Sequence, residues 1–258
     1  MAQFKFLVLI AAMVTFVASS GAIVRSTPGP LQDSLPPARD IVARHIKAIG
    51  GEAALAAVSS MRIRGRLEIP SQKIVGDLEV LTARPAKQVY RVTVASIGRI
   101  ENGYDGTIGW SISPAAGPEL LSGRQLVEAA DDAWFDGPLH APGHVRELTT
   151  VARTDFDGKP SYKIRVVYGS GSERFEYFDA NTGLQIGEES ARATSQGVVQ
   201  SVSVLRDYRK FGQLLHASTL VQRALGFEQV LTLTSCEYNV VPNGAFEPPA
   251  EVKALRLR

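Results

Sequence analysis

Between Met61 and Ile69 the chain alternates: Met61, Ile63, Leu67 and Ile69 are apolar, while Arg62, Arg64, Arg66 and Glu68 between them are charged. A period of two puts the first set on one face of a strand and the second on the other, so one face is buried and the other meets solvent. Looser alternation predicts further strands over 74–83, 88–94, 97–102 and 107–112, and again over 145–154, 160–168, 173–179, 184–192, 198–208, 214–224 and 227–239. The intervening FDGKP, GSGS, ANTG, TSQG, KFGQ and LG each carry a residue that accepts positive φ or breaks a strand, and Asp105-Gly106 supplies a tight hairpin turn.

A helical period appears in only three places. Ile41, Val42, His45, Ile46 and Ile49 share a face in the run that starts at Pro37 and stops at Gly50-Gly51, and a short second helix is expected over Glu52 to Val58. The segment 119–140 predicts an amphipathic insertion capped by Ser122, with Leu126, Val127 and Ala130 on one face and Trp134, Phe135 and Leu139 following. The fold class is therefore mainly β (α+β), with about a dozen mostly antiparallel strands spaced like a sheet that curls or closes. Such a curl encloses volume for a helix, a loop or a ligand, so function is expected inside it.

The chain of 258 residues is 45% hydrophobic, which supplies a real core and excludes disorder. Its formal charge is only +2 with scattered basic residues, so there is no electrostatic footprint for nucleic acid. Residues 1–22 have Lys5, an apolar run from Phe6 to Val17 and then Ala18, Ser19, Ser20, Gly21 and Ala22, the pattern of a cleavable secretory signal peptide. Residues 23–36 are proline-rich and read as a flexible linker, and 37–258 as the folded domain. The sole cysteine, Cys236, lies far from any lipidation position and has no disulfide partner, so the expectation is a protein that is soluble after export and not a lipoprotein, with Cys236 a buried thiol.

Chemical signatures are sparse. His140 and His144 have the separation of a metal pair, but Pro142-Gly143 forbids the helix that would align them and no third ligand is near, so they read as exposed loop histidines. His45 reads as a packed residue of the first helix, and His216 as a strand residue with no acidic neighbour. Asp155 and Asp157 fit a hairpin turn better than a calcium loop, and Asp131-Asp132 fit a solvated helix end. No nucleophile, base and orienting group occur together and no cofactor or metal motif is present, so an enzyme ranks last. Tyr90, Trp110, Tyr162, Phe175, Tyr177 and Tyr208 fall in phase with the apolar face of their strands, as core or as ligand contacts.

The hairpin YFDANTGL (Tyr177 to Leu184), then LRDYRKFGQLL (Leu205 to Leu215) and NVVPNGAFEPP (Asn239 to Pro249) resemble the LolA and LolB family of periplasmic outer membrane lipoprotein-sorting proteins. IGGEAALAAVSSMRIRG, LSGRQLVEAADDAWFDGPL and FDGKPSYKIRV are similar to the same family in the same order. Two departures are His216 where the family often has a proline, and the lack of any mappable receptor contact. The resemblance implies a strongly curved, half-open antiparallel β-barrel of about 11–12 strands, helices over its mouth, and an apolar cavity for acyl chains. The expected cavity residues are Leu67, Leu78, Val80, Tyr90, Trp110, Tyr162, Ile164, Phe175, Tyr177, Val204 and Tyr208, and the expected lid residues Leu126, Val127, Trp134, Phe135 and Leu139. The expected partners are a lipid or acylated lipoprotein and an inner- or outer-membrane protein, with the chain a monomer. A sensor or protein-interaction module on the same fold is the alternative.

Overall fold

A computed structural model of the chain describes residues 35–137, 143–194 and 197–256. The signal-peptide segment, residues 23–34 of the linker, and Leu139 and His140 lie outside them. Helix α1 (Ala38–Ala48) buries Ala38, Ile41, Val42 and His45, the spacing of one helical face, and α2 (Glu52–Ala56) follows. A first meander runs β1 (Ser60–Ile69), β2 (Ile74–Ala83), β3 (Lys87–Val94), β4 (Gly98–Tyr104), β5 (Gly109–Ser113) and β6 (Gly117–Leu120). Helix α3 (Gly123–Ala133) leads to the second: β7 (Val145–Phe156), β8 (Lys159–Tyr168), β9 (Glu173–Asp179), β10 (Gln185–Thr194), β11 (Gly197–Phe211), β12 (Leu214–Ala224) and β13 (Phe227–Tyr238). Helix α4 (Ala250–Leu255) ends the described chain.

All thirteen strands belong to one antiparallel sheet, in the order β6-β5-β4-β3-β2-β1-β13-β12-β11-β10-β9-β8-β7. The two meanders are joined at β1 and β13, so the free edges β6 and β7 are consecutive in the chain and the segment carrying α3 spans them. The strand beyond the expected dozen is β6, whose sequence GPEL has no alternation and holds a proline, which an edge strand tolerates. Ser122 stands at the N-cap of α3 as expected, but its side chain makes no capping hydrogen bond.

Register sorts the side chains. Ile63 lies opposite Val80, and Val80 opposite Tyr90, on the concave face, with Leu67, Leu78, Val92, Leu205, Leu220 and Leu231 in the same buried cluster. One residue along, Leu81 and Val89 point the other way and pack with Trp110, Ile112, Phe246 and Val252, so the C-terminal segment covers the convex side of β2, β3 and β5. Trp110 lies flat on Gly103, where an added Cβ would sit 2.0 Å from the ring. Gly103→Ala is therefore expected to cost about 2 kcal/mol by overpacking, read as a lower melting temperature; an unchanged midpoint would mean that the indole relocates freely.

Candidate functional site

The concave face has three zones. The first is the apolar wall of β1–β4 and β11–β13, where Leu67, Leu78, Val80 and Tyr90 are all buried and Tyr208 packs at the margin, its hydroxyl donating to the Gln185 carbonyl at 2.6 Å. The second lies under α1, whose Ile41 and Val42 pack on Ile164, Val166, Tyr168 and Phe178, with Tyr162 beside them. The third, between these two, is polar.

The polar zone follows from register. Ile164 is paired with Glu176, Glu176 with Glu188, Glu188 with Ser203, Ser203 with Gln222 and Gln222 with Gln229, a row crossing six strands on one face. Since α1 fixes Ile164 inward, Glu176 must also point inward, and so must Arg174 and Phe178, two residues away on either side. Glu176 is 0% exposed and accepts from Gln185 Nε2 at 2.8 Å. Arg174 is 4% exposed, with its guanidinium 4.5 Å over the Tyr168 ring.

Phe175 and Tyr177 consequently face outward, which corrects their expected inward placement. Lys163 stands 4.3 Å above the Phe175 ring, and Phe156 stacks on Tyr177 at 4.0 Å. Val204 shares this outer row through its pairing with Gly187, which in turn pairs with Tyr177. Trp110 is likewise on the convex side, its Nε1 donating to Glu101 at 3.1 Å. Each of these residues is apolar enough for the inside, but each lies one position out of phase with a neighbour that the packing holds there.

Helix α3 crosses the concave side, touching β4 and β5 on one flank and β10 on the other. Its buried residues are Glu128, Asp132 and Ala133. Asp132 was expected to be a solvated helix-end carboxylate; instead it accepts from Arg174 Nη2 and Arg192 Nη2, each at 3.0 Å, and also from Arg192 Nη1. Glu128 accepts from the Ala193 amide at 2.9 Å and from Arg124 at 2.7 Å, and Asp131 accepts from the Ser172 hydroxyl at 2.8 Å. Among the expected lid residues, Leu126 is half-buried against Gly109, whereas Val127 is 42% exposed. Trp134 forms a bridge to Ala86 and stacks on His144, so His144 is half-buried rather than a free loop residue. Phe135 is buried with Val58, Met61 and Leu214, and its amide donates to the Pro85 carbonyl at 2.9 Å. Helix α3 is thus anchored apolarly by Leu126 near its start and by Phe135 just past its end, and tied to β9 and β10 by charge between them.

Two clefts stand out, and both lie beside α1 rather than within the apolar wall. One of about 420 Å³ runs between residues 35–39 and Leu148–Thr150 of β7. The other, about 140 Å³, is lined by Ile41, Arg44, Tyr162, Asp179 and Gly183. Among the described residues the expected open apolar cavity is instead a wall whose own strand side chains pack together, with α1 over the neighbouring cluster of β8 and β9. The remaining candidates are structural: Asp155 caps the β7–β8 turn by accepting from the Gly158 amide, Asp157 pairs with Arg206, and burial pushes the Cys236 thiol up to about 11. Among the described residues no cluster of His, Cys, Asp or Glu could hold a metal ion.

No family model matches the sequence, and no curated protein matches it either. Solved structures do resemble it in shape. A LolA superfamily protein from Nitrosomonas europaea is 13% identical with a TM-score of 0.56, over 83% of this chain and 99% of that one. A DUF1329 family protein from Desulfovibrio piger is 10% identical with a TM-score of 0.56, over 83% and 98%. A domain described as an outer membrane lipoprotein-sorting protein from Vibrio parahaemolyticus is 11% identical with a TM-score of 0.50, over 85% and 98%. With its unclosed antiparallel sheet, its N-terminal helix and the helix between its two meanders, this chain has the LolA-like fold.

Proposed function

We propose that the protein is a periplasmic, non-enzymatic carrier or binder of lipid or lipoprotein acyl chains, which enter along the apolar concave wall when α3 swings away. The observation that carries this reading is the contrast between wall and cover. The wall is continuous and apolar across β1–β4 and β11–β13, while α3 buries two carboxylates and an alanine. A cover held by charge separates into water at less cost than one held by a large apolar contact, because water solvates the parted ions. A chain of a dozen carbons gains about 10 kcal/mol at ~0.8 kcal/mol per buried CH₂. This gain, before the ordering of the chain, is what offsets the parting of the ion pairs that hold α3. The LolA-like fold supports the reading by analogy of shape. Among the described residues no helix is long and apolar enough to cross a membrane.

Mass spectrometry of an organic extract of the freshly purified protein, with titration of a fluorescent fatty acid, tests this. Co-purifying acyl lipid and saturable binding are expected; a folded protein that carries no lipid and binds none would overturn it. One observation favours a protein-docking module instead: the sheet ends on the twelve-residue edge strand β7, which offers backbone for strand addition. That reading predicts binding to a membrane-protein ectodomain, protection of β7 amides in the complex, and indifference to lipid.

A further inference from the structure

We propose that Arg174 and Arg192 form an anion site in the concave wall, filled here by the Asp132 carboxylate of α3, and that the monoanionic head of an acyl ligand replaces Asp132 there. This rests on the acyl-binding reading and adds to it the chemistry of the head.

The cations and the anion belong to different parts of the fold. Arg174 and Arg192 stand on adjacent strands β9 and β10, whereas Asp132 stands on the cover. Both guanidinia converge on this one carboxylate, Arg192 through both of its Nη atoms, an arrangement suited to a planar oxyanion. Moving α3 away would leave the arginines on the wall and take their anion with it. Arg174 has a donor to spare: Nη1 makes no hydrogen bond and lies 3.6 Å from Glu188 Oε1. The Tyr168 ring beneath keeps this guanidinium in place.

Charge sets the class of head. Glu188 and Glu176 stay on the wall beside the arginines and offset their charge, so a head with one negative charge, as Asp132 supplies now, suits the site better than a dianion. A fatty-acyl carboxylate and a phosphodiester both meet that description. Position agrees, because Ser203 and Gln222 continue the polar row, and Leu205 and Leu220 of the apolar wall stand two residues from them on the same face of β11 and β12. A head at the arginines therefore has a path for its chain along contiguous wall.

The test titrates the full chain with oleic acid against oleyl alcohol, and with dioleoylphosphatidylglycerol against dioleoylglycerol. Oleic acid, the phosphodiester or both should bind at least about tenfold tighter than the matched neutral lipid, the range expected of charged hydrogen bonds, and the pair showing the preference identifies the head. Arg192→Gln should lower that ratio by about tenfold, and Asp132→Asn, which weakens the internal competitor, should strengthen acid binding. Equal binding of charged and neutral lipids to the unaltered protein would overturn the anion site and leave the acyl reading standing. Failure of all four lipids to bind would overturn both. The comparison on the unaltered protein decides even if Arg192→Gln does not fold.

Discussion

Asp132→Ala is expected to destabilise the protein by about 3–5 kcal/mol, because it strands two buried guanidinium groups without their shared carboxylate. The neighbours cannot take over the role. Glu188 approaches Arg174 at only 3.6 Å, and Glu128 is already engaged by Arg124 and the Ala193 amide. The loss should appear as a lower urea midpoint with little change in slope. It measures a stranded charge rather than the net contribution of the pair, and this distinction gives a second readout. Replacing Asp132, Arg174 and Arg192 together by apolar residues of similar volume, with Glu176 and Glu188 changed to Gln so that no buried carboxylate is stranded, should restore much of the stability, since a buried ion cluster offsets little beyond its own desolvation. Such a variant would fold but lose discrimination between charged and neutral lipids. Should Asp132→Ala cost less than 1 kcal/mol, the arginines must reach water without α3 moving far, and the charged latch would be the wrong description of this contact.

Why this cluster is hard to see in the sequence is instructive. Strand β1 is legible because its two faces differ: Ile63 and Leu67 alternate with Arg62, Arg64 and Arg66, and the structure places them accordingly. The hairpin at Asn181-Thr182-Gly183 is legible because its turn chemistry is local. Asp179 accepts from the Asn181 and Thr182 amides, and Gly183 takes φ +75°. In β9 the alternation sets Phe175 and Tyr177 against Arg174 and Glu176, and the apolar-in rule then selects the wrong face. The deciding facts are tertiary: α1 packs on Ile164, and Ile164 is paired across the sheet with Glu176. No local pattern contains them. Trp110 misleads for a related reason, since the C-terminal segment buries apolar residues on the convex face of β2, β3 and β5, so both phases of those strands carry apolar side chains. The signal that could have located the site is the coincidence of Arg174, Glu176, Glu188 and Arg192 at alternate positions of two strands joined by a tight turn, because a hairpin brings such a set onto one face.

Mild acid should weaken the fold, by up to about 3 kcal/mol for each of two histidines. Burial pulls the His45 imidazole down to about 4, with the Gly183 carbonyl opposing it weakly, and burial does the same to His216, also to about 4. The neutral His45 ring donates through Nδ1 to that carbonyl at 3.2 Å and packs edge-on against Phe178 at 5.3 Å. His216 Nε2 lies 2.8 Å from the Tyr238 hydroxyl, which itself donates to the Phe211 carbonyl, so the imidazole N–H donates to the Tyr238 oxygen. Both folded-state values lie below the 6.5 of a free imidazole, so between pH 6.5 and about 4 the unfolded chain holds more protons. Stability therefore rises with pH through that window, is full above it, and is lost as pH falls through it. Urea midpoints measured from about pH 7.5 to pH 4.5 should fall steeply, and His45→Gln with His216→Gln should flatten the dependence. An equally steep fall in that double variant would assign the acid sensitivity to other groups. The two sites should also separate spatially. His45 ties α1 to the β9–β10 turn, where Arg44 donates to the Ala180 carbonyl at 2.8 Å, so its protonation loosens the N-terminal cover. His216 acts at the opposite wall, near Leu214 and Tyr238. Amide exchange at about pH 5 should therefore rise first in α1 and the β9–β10 turn for the His216→Gln variant, and in β12 and β13 for His45→Gln.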